Sequence, residues 1–427
     1  MIFEVGSTML MGGLAGYAFY KSKGLATNDA AKIQRIFNNA GMTIKEGGRT
    51  ETIRLQRKRR FEGGFEYVYQ LPLGLSSKHI MDNKHVLEDG LNVRSNVFEF
   101  NLPDLKELKF DKTLVRQIKK LLAHKRKMKE IEIEFDGMLK IKVYNEPMND
   151  KIAWSENLLV NGSWAVPVGY TRQGKLIKHD FDKSKHLIVA GTSGYGKSVM
   201  LKMLVATLIS QQPDNVELSL IDLKGGASFQ RYKECKQTKH YSRDPETAKE
   251  VLKAIQEDMN SSFLEIVDNG YEDVKEAGIK KRNFIIIDEA ADLADYKEAM
   301  KIITDIARRG RSAGYYLVFC TQNPTAEVIS SQTKRNIISR LCYVVDTDTA
   351  SRVVLDEGGA NKLPAVPGRG IYKNGVKRSV VQTPLMTNSQ IKEHIAPHIN
   401  IRGRDDCGQK SSKATEDRKY SLEFEEL

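Results

Sequence analysis

Residues 186–209, HLIVAGTSGYGKSVMLKMLVATLI, constrain the fold more than any other part of the chain. An apolar run that predicts a buried strand leads into the spacing GxxxxGK[ST], and an apolar-periodic helix follows. Glycines in this spacing let backbone N–H groups surround phosphates, and the helix amino terminus adds a favourable dipole. Lys197 is predicted to reach the β- and γ-phosphates of ATP, and the Ser198 hydroxyl to bind Mg²⁺. The predicted ATP-binding residues are Gly191, Thr192, Ser193, Gly194, Tyr195, Gly196, Lys197 and Ser198.

An acid pair follows a second apolar run, NFIIIDEAADL, which begins at residue 283. Such a run is typical of a parallel strand with both faces covered, and ligands bind at the carboxyl ends of such strands. Asp288 is therefore predicted to order Mg²⁺, and Glu289 to orient and deprotonate the attacking water. The alternative is an exposed acid pair at the end of a strand. Strands predicted at 216–222 and 315–322 end at the same edge, where Gln322 can sense the γ-phosphate.

Three arginines lie in the run IARRGRSAG, between the acid pair and Gln322. They are Arg308, Arg309 and Arg311. Because an arginine supplied by a neighbouring subunit can stabilise transition-state charge, one of them is a candidate for that role. A solvated basic helix end is the alternative.

The net charge favours a polyanionic partner. The 427 residues include 67 Lys and Arg against 55 Asp and Glu, a formal charge of +12. This excess fits nucleic acid or an anionic membrane surface. Residues 21–60 hold 11 basic and 3 acidic side chains, and residues 112–129 hold 8 basic and no acidic ones. The phosphate-loop region therefore does not make the chain basic.

The cysteines and histidines form no recognisable metal or disulfide pattern. Four cysteines include no CxxC pair and eight histidines no HExxH motif, so neither a disulfide framework nor a zinc site is expected. Cys320 and Cys342 lie in apolar runs, which predicts buried thiols. A reducing, cytoplasmic setting is expected for the main body.

Residues 1–24 are predicted to form a single transmembrane helix. Residues 5–20 carry no charge, and about twenty helical residues span a bilayer core of about 30 Å. Lys21, Lys23 and Lys32 follow the apolar stretch, which places the body of the chain on the cytoplasmic side. The alternative is a buried or interfacial helix on a cytoplasmic protein, because the stretch contains several glycine and polar residues.

Residues 25–150 predict a small α+β domain with basic segments. Helical patterns cover 28–40 and 76–92, strands are predicted at 65–71 and 96–101, and Asp136-Gly137 suits the turn of a β-hairpin. The basic stretch 112–129 has a helical spacing and is either a solvated surface helix or a face that contacts DNA or lipid phosphates. Its candidate contact residues are Lys119, Lys120, Lys125, Arg126 and Lys127.

The order of these blocks resembles the FtsK/SpoIIIE family of DNA-pumping ATPases. The resemblance runs from Val166 to Leu385 and rests on HLIVAGTSGYGKSV, SLIDLKG, FIIIDEAADL, IARRGRSAGYYLVFCTQNP and ISRLCYVVDTDTASRVVLDEGGANKL. It implies an α/β, RecA-like P-loop ATPase with a central, mostly parallel sheet over residues 181–390. Residues 151–180 are then a linker with lead-in strands, and residues 391–427 a flexible tail.

The resemblance also assigns roles to single residues. The family's phosphate-loop roles fall on Gly191, Gly196, Lys197 and Ser198, its acid pair on Asp288 and Glu289, and its sensor glutamine on Gln322. Arg311 matches the arginine of the family's RxAG block, and Arg340 and Arg352 match arginines near the following strand. Tyr195 and Asn323 depart from the usual pattern, because a small residue and an arginine are common at these two positions.

The resemblance implies partners as well. Members of the family assemble as rings, usually hexamers, with duplex DNA in the channel and ATP between subunits. A short chain with one membrane segment looks most like the coupling or transfer ATPases of Gram-positive conjugative elements and plasmids, which implies a relaxase or transfer-channel partner. The alternatives are a protein-export motor similar to type VII secretion ATPases and an ATP-dependent DNA-binding partner in plasmid replication or segregation.

Overall fold

The computed structural model describes residues 29–46, 49–61, 63–92 and 129–400. It divides into two compact units between Met148 and Asn149. The predicted membrane helix at 1–24, the predicted strand at 96–101 and the five candidate basic residues at 119–127 lie outside the described residues. Among the helices that are described, none is long and apolar enough to cross a membrane.

The amino-terminal unit packs helices on an antiparallel sheet. Its core joins Ile33 and Phe37 of the first helix to Tyr67, Tyr69 and buried residues of the later strands. The sheet has the order β3-β4-β6-β5, and β1 and β2 form a separate two-stranded ribbon. The elements are α1 (Asp29–Asn39), β1 (Thr43–Glu46), β2 (Arg49–Thr52), β3 (Arg54–Phe61), β4 (Gly64–Gln70), α2 (Ser77–Asp82), α3 (Lys84–Asn92), β5 (Glu130–Phe135) and β6 (Leu139–Tyr144).

Most local predictions for this unit are confirmed. The helix at 28–40, the strand at 65–71 and the hairpin at Asp136-Gly137 are present, and Gly137 has a φ of 88° as the turn requires. The segment 76–92 forms two helices instead of one. The break lies at Asn83, whose side chain donates a 2.8 Å hydrogen bond to the carbonyl of His79 and so competes with the helical backbone bond.

The carboxy-terminal unit is built on a single ten-stranded sheet of order β11-β10-β12-β13-β9-β14-β15-β16-β7-β8. The six strands from β11 to β14 are parallel, and the remaining pairings are antiparallel. Its strands are β7 (Ala165–Thr171), β8 (Leu176–Asp180), β9 (Leu187–Ala190), β10 (Val216–Ile221), β11 (Thr238–Ser242), β12 (Arg282–Ile287), β13 (Tyr315–Thr321), β14 (Ser339–Tyr343), β15 (Arg369–Asn374) and β16 (Lys377–Gln382). Its helices are α4 (Phe181–Ser184), α5 (Lys197–Gln211), α6 (Pro245–Asp268), α7 (Lys297–Ala313), α8 (Ser331–Asn336), α9 (Asp348–Leu355) and α10 (Asn388–Ile395).

Helices cover both faces of the parallel strands, which explains their continuous apolar runs. All seven residues of β13 are buried, as are all four of β9. One core contains α5 and α10, and the other contains α6 and α7. Cys320 and Cys342 are buried free thiols as predicted, and burial raises the pKa of Cys342 to about 12.

A flexible tail beginning at residue 391 is contradicted for residues 391–400. Helix α10 ends at Ile395, and its amino terminus has a capping box between Thr387 and Gln390. Ile391 and Ile395 are buried in the same core as α5, and His394 packs edge-on against Trp154. The apolar pattern of this short helix is weak in the sequence, and the helix is held by these tertiary contacts.

Candidate active site

The phosphate loop connects the carboxyl end of β9 to the amino terminus of α5. Gly191 has a φ of 144°, and a Cβ atom there would lie 2.7 Å from Cβ of Tyr343. Gly196 has a φ of 105° and faces the backbone of Gly368. Both positions favour glycine, because a side chain would be strained at these φ values and would clash with Tyr343 at the end of β14 or crowd the backbone of Gly368 before β15. The sequence thus makes a concave backbone cradle directly before the helix.

Hydrogen bonds fix this cradle to its neighbours. The backbone N–H and the hydroxyl of Thr192 donate to the carbonyl of Val344, at 2.8 and 2.7 Å. On the other side, the N–H of Gly368 donates to the carbonyl of Tyr195 at 3.0 Å. The backbone carbonyl of Tyr195 therefore helps to hold the loop in place.

Lys197 is the first residue of α5 and is buried. Its ammonium group donates a 2.6 Å hydrogen bond to the carbonyl of Thr192, within the loop itself. Burial lowers the pKa of Lys197, and the nearby charge of Lys224 lowers it further, while Glu289 and Asp288 act in the opposite direction. A buried ammonium group is suited to bind an anion, because the anion compensates for the water that burial has removed.

The acid pair lies at the end of β12, on the same edge of the sheet. Asp288 is fully buried, and its Oδ2 accepts a 2.7 Å hydrogen bond from the Ser228 hydroxyl, while its Oδ1 has no hydrogen-bond partner among the described residues. Glu289 accepts bonds from the hydroxyl of Thr321 at 2.8 Å and from the N–H of Gln322 at 3.0 and 3.1 Å. The predicted catalytic acid and the predicted sensor residue are therefore neighbours.

Lys224 is a member of the site that the sequence analysis did not single out. Its ammonium group lies 3.4 Å from Oε2 of Glu289 and 3.9 Å from Oδ2 of Asp288. It follows β10 within the SLIDLKG block, and the parallel alignment of β10 with β12 brings it beside the acids. This contact depends on β10 lying beside β12, and the sequence alone does not show which strands are neighbours.

The loop that carries Lys224 is anchored by a buried carboxylate. Asp222 is fully buried, and its Oδ2 accepts 2.7 Å bonds from the backbone N–H groups of Ser228 and Phe229. Ser228 in turn bonds Asp288, so a chain of hydrogen bonds joins the end of β10 to the end of β12. Asp222 and Lys224 lie in the SLIDLKG block, which is the sequence signal for them, whereas Ser228 lies outside it.

The structure separates the candidate arginines. Arg308 and Arg309 both bond Asp305 on their own helix, α7. Arg311 is exposed in the last turn of α7, which ends before β13 begins and so lies at the edge opposite the phosphate loop. Within one protomer, Arg311 does not join Lys197, Glu289 and Gln322.

The two arginines that the resemblance placed near β14 have local roles. Arg340 is buried and donates to the carbonyls of Ile337, Val354 and Lys334 at 3.1, 3.2 and 2.9 Å, in addition to its ion pair with Asp356. Arg352 is exposed and bonds Asp348 at 2.6 Å. Asn323, where the sequence departs from the family pattern, is also exposed, and its backbone N–H donates to the Thr321 hydroxyl at 3.2 Å.

Comparison with protein families covers the phosphate-loop part of this unit. Residues 152–283 match the model of the FtsK/SpoIIIE family. The DNA translocase FtsK of Streptococcus pneumoniae is 29% identical over 217 residues, which cover 46% of this chain and 28% of the relative. The DNA translocase FtsK of Helicobacter pylori is 32% identical over 233 residues, covering 50% of this chain and 27% of the relative. The match thus spans less than a third of the length of these curated relatives.

Two solved structures share the fold. The pCW3 conjugation coupling protein TcpA, in a monomer form with ATPgS, aligns with 87% of this chain and 99% of its own at a TM-score of 0.57 and 20% identity. The cytoplasmic domain of the type VII secretion ATPase EccC from Thermomonospora curvata aligns with 59% of this chain and 33% of its own at a TM-score of 0.51 and 19% identity. At these identities the likeness shows the fold alone. The chain is therefore similar to ATPases of the FtsK/SpoIIIE family over residues 152–283, which include the phosphate loop.

Proposed function

We propose that this protein hydrolyses ATP to move DNA. The observation that carries the proposal is the meeting of the phosphate loop, the acid pair and Gln322 at one edge of the sheet. The phosphate loop itself lies within residues 152–283, which match the FtsK/SpoIIIE family. The curated relatives are DNA translocases by name, which supports the same proposal.

The phosphate loop is proposed to hold the triphosphate of ATP. The backbone N–H groups of residues 191–196 and the amino terminus of α5 supply donors and a favourable dipole. Lys197 exchanges its bond to the Thr192 carbonyl for the β- and γ-phosphates, which compensates for its burial. The Cβ clash at Gly191 explains why this loop cannot carry a side chain there.

The residues present also fit a magnesium ion. The Oδ1 of Asp288 is buried and has no hydrogen-bond partner in the part of the chain that is described, and it is the kind of oxygen that hard cations prefer. The Ser198 hydroxyl is the second proposed ligand. When bound, magnesium supplies positive charge to the phosphate oxygens. Ser228 holds Asp288 in place through its 2.7 Å bond.

Glu289 is proposed to orient and deprotonate the attacking water. Three hydrogen bonds from the end of β13 hold its carboxylate, so the base is positioned before the substrate arrives. Gln322 follows β13 and is proposed to respond to the γ-phosphate. Because its N–H already bonds Glu289, a movement of Gln322 would be transmitted directly to the base.

Completion of the site is proposed to require a second copy of the chain. Arg311 is exposed at the edge opposite its own phosphate loop, a location that suits donation to a neighbouring subunit. In a head-to-tail ring, each subunit would supply this arginine to the next site. A homohexamer is the proposed assembly, as the family resemblance implies.

The cellular role that we propose is DNA transfer for a conjugative element or plasmid. The fold likeness to a conjugation coupling protein over most of both chains motivates it. A relaxase or transfer-channel protein would be a partner. Residues 1–24 are proposed to anchor the chain in the cell membrane with a cytoplasmic motor, a cytoplasmic protein being the alternative, and the basic stretch at 112–129 to contact DNA or lipid.

Two other functions compete with this one. A protein-export motor is suggested by the fold likeness to the type VII secretion ATPase, and it predicts binding of small secreted proteins but not DNA. A DNA-binding partner in replication or segregation that uses ATP only to assemble predicts retained function when hydrolysis is abolished.

The first test is ATP hydrolysis by the full chain with no DNA, single-stranded DNA or duplex DNA. We expect hydrolysis to rise with DNA and to be lost in Lys197→Ala and Glu289→Gln variants. Hydrolysis that ignores every form of DNA would contradict the proposed function.

A further inference from the structure

Strand β3 of the amino-terminal unit carries an unusual density of positive charge. Its sequence, RLQRKRRF, contains five basic residues and no acidic one. All five basic side chains are exposed, and β3 is the edge strand of the four-stranded sheet. Among the described residues, no strand pairs with its outer edge. The five are Arg54, Arg57, Lys58, Arg59 and Arg60.

The four arginines of β3 have no ion-pair partner within the part of the chain that is described. Exposed arginines elsewhere in the protein do find partners, since Arg308 bonds Asp305 and Arg352 bonds Asp348. A cross-strand acid does lie opposite one of them: Glu66 of β4 faces Arg59. It balances at most one of the positive charges, so a strong excess remains available to an external anion.

The register of β3 with β4 shows that the charges lie on both faces of the sheet. Lys58 and Arg60 stand opposite Tyr67 and Phe65, on the face that holds the core. Lys58 lies 4.6 Å from the centre of the Phe65 ring. The remaining three basic side chains stand opposite Gln70, Val68 and Glu66, on the other face; they are Arg54, Arg57 and Arg59.

Negative charge on the same outer face lies farther along the sheet and is already paired. Lys142 of β6 bonds Glu134 at 2.8 Å and lies 3.8 Å from Glu132. Lys140 is paired with Asp136. Glu132 and Glu134 of β5 are therefore engaged by β6 and do not neutralise the β3 edge.

We propose that the β3 edge is a contact surface for the phosphate backbone of duplex DNA. This inference rests on the proposed function, to which it adds a contact surface outside the ATPase unit. Residues two apart on one face of a strand lie about 6.7 Å apart, so each can reach a different phosphate of a duplex that carries one charge per about 3.4 Å on each strand. Arginine forks bind phosphate oxygens bidentately, and four of the five cations are arginines.

The shape of the surface favours DNA over a membrane. Cations on both faces of an edge strand form a positively charged ridge, which can enter a groove of duplex DNA or lie between its two phosphate backbones. A flat lipid surface, in contrast, would contact only one face of the sheet. Membrane-bound surfaces also insert apolar side chains, and the exposed large apolar residue of β3 is Leu55 alone, at 41% exposure. Because residues 21–60 follow the predicted membrane helix, binding of this surface to lipid is the alternative that the test must distinguish from DNA binding.

The experiment measures duplex DNA affinity of the full chain against salt concentration. We expect Arg57→Gln/Arg59→Gln to reduce the slope of log K on log[salt] by about 0.9 for each lost phosphate contact, about 1.8 for the pair. Arg60→Gln tests the other face and should reduce the slope by about 0.9. The matched control removes two exposed lysines that are paired within the chain, Lys183→Gln/Lys281→Gln, and should leave the slope unchanged.

Two further measurements separate the outcomes. The Arg57→Lys/Arg59→Lys variant should retain most of the salt dependence if the positive charge is responsible for DNA binding. The rate of ATP hydrolysis without DNA should be unaltered in all β3 variants. If the wild-type chain binds DNA and the β3 variants show the same slope of log K on log[salt], the β3 edge does not contact DNA, while the proposed function still stands. If the wild-type chain binds no DNA, the proposed function fails too.

Two other results would also overturn the surface. Loss of binding to phosphatidylglycerol vesicles with unchanged DNA affinity would make β3 a lipid contact. Aggregation of the variants with normal DNA affinity in the soluble fraction would mean that the charges only protect an open sheet edge.

Discussion

Replacement of Lys224 by methionine should destabilise the nucleotide-free ATPase unit. The lysine ammonium lies 3.4 Å from Glu289 and 3.9 Å from Asp288. With an effective dielectric constant of about 20, these distances correspond to about 5 and about 4 kcal/mol of Coulomb attraction. Desolvation offsets much of this, and removing one partner of a buried pair costs about 3–5 kcal/mol. Because the Lys224 side chain is 29% exposed, we expect a loss near the lower end, about 3 kcal/mol.

The assay is denaturant unfolding followed by tryptophan fluorescence. The two tryptophans of the chain, Trp154 and Trp164, are both buried in the carboxy-terminal unit and report on its unfolding. Lys183→Met is the control, because Lys183 is 82% exposed and its pair with Asp180 should contribute less than about 1 kcal/mol.

A repeat with magnesium and a non-hydrolysable ATP analogue makes the prediction specific. The acids then have another source of positive charge, so the difference between Lys224→Met and wild type should shrink. An equal loss of stability with and without the nucleotide, or no loss in either condition, would refute the account of Lys224.

Three other changes test the site and its surroundings. Glu289→Gln should lower kcat for ATP hydrolysis by about 10² to 10⁴-fold while leaving ATP affinity nearly unchanged, and a variant with normal turnover would exclude Glu289 as the base. Gly191→Ala should weaken binding of a fluorescent ATP analogue by about tenfold or more, since the added Cβ meets Tyr343 at 2.7 Å and backbone strain costs about 1–3 kcal/mol. Burial lowers the pKa of His179 and His186 to about 3, so both stay neutral when folded but take up protons near pH 6.5 when unfolded. Stability is therefore full above pH 6.5 and is lost as the pH falls towards 3; at pH 5 the loss should be about 2 kcal/mol per histidine, and a pH-independent unfolding free energy over this range would contradict it.

The phosphate loop and the acid pair were predictable because their chemistry is local. Gly191, Lys197 and Asp288 stand in runs where an apolar strand is followed at once by the functional residue, and parallel strands bring such ends to one edge. Lys224 and Ser228 were not predictable in the same way, because their meeting with the acids depends on which strand lies beside β12.

Burial changed the interpretation of other residues. Arg340 matches a family arginine near β14 by resemblance, and the structure adds that it is buried and holds three backbone carbonyls with Asp356 beside it. Residues 391–395 of helix α10 fall within the predicted flexible tail, and their order comes from Ile391 and Ile395 packing in the core. In both cases a tertiary contact, absent from the local pattern, decides the outcome.

Displacement of a triplex-forming strand from duplex DNA tests the central claim most directly. The full chain should displace the third strand when ATP is hydrolysed, and should fail with a non-hydrolysable analogue or in the Glu289→Gln variant. Protein that binds DNA and hydrolyses ATP but leaves the triplex in place would contradict DNA movement as the function of this site.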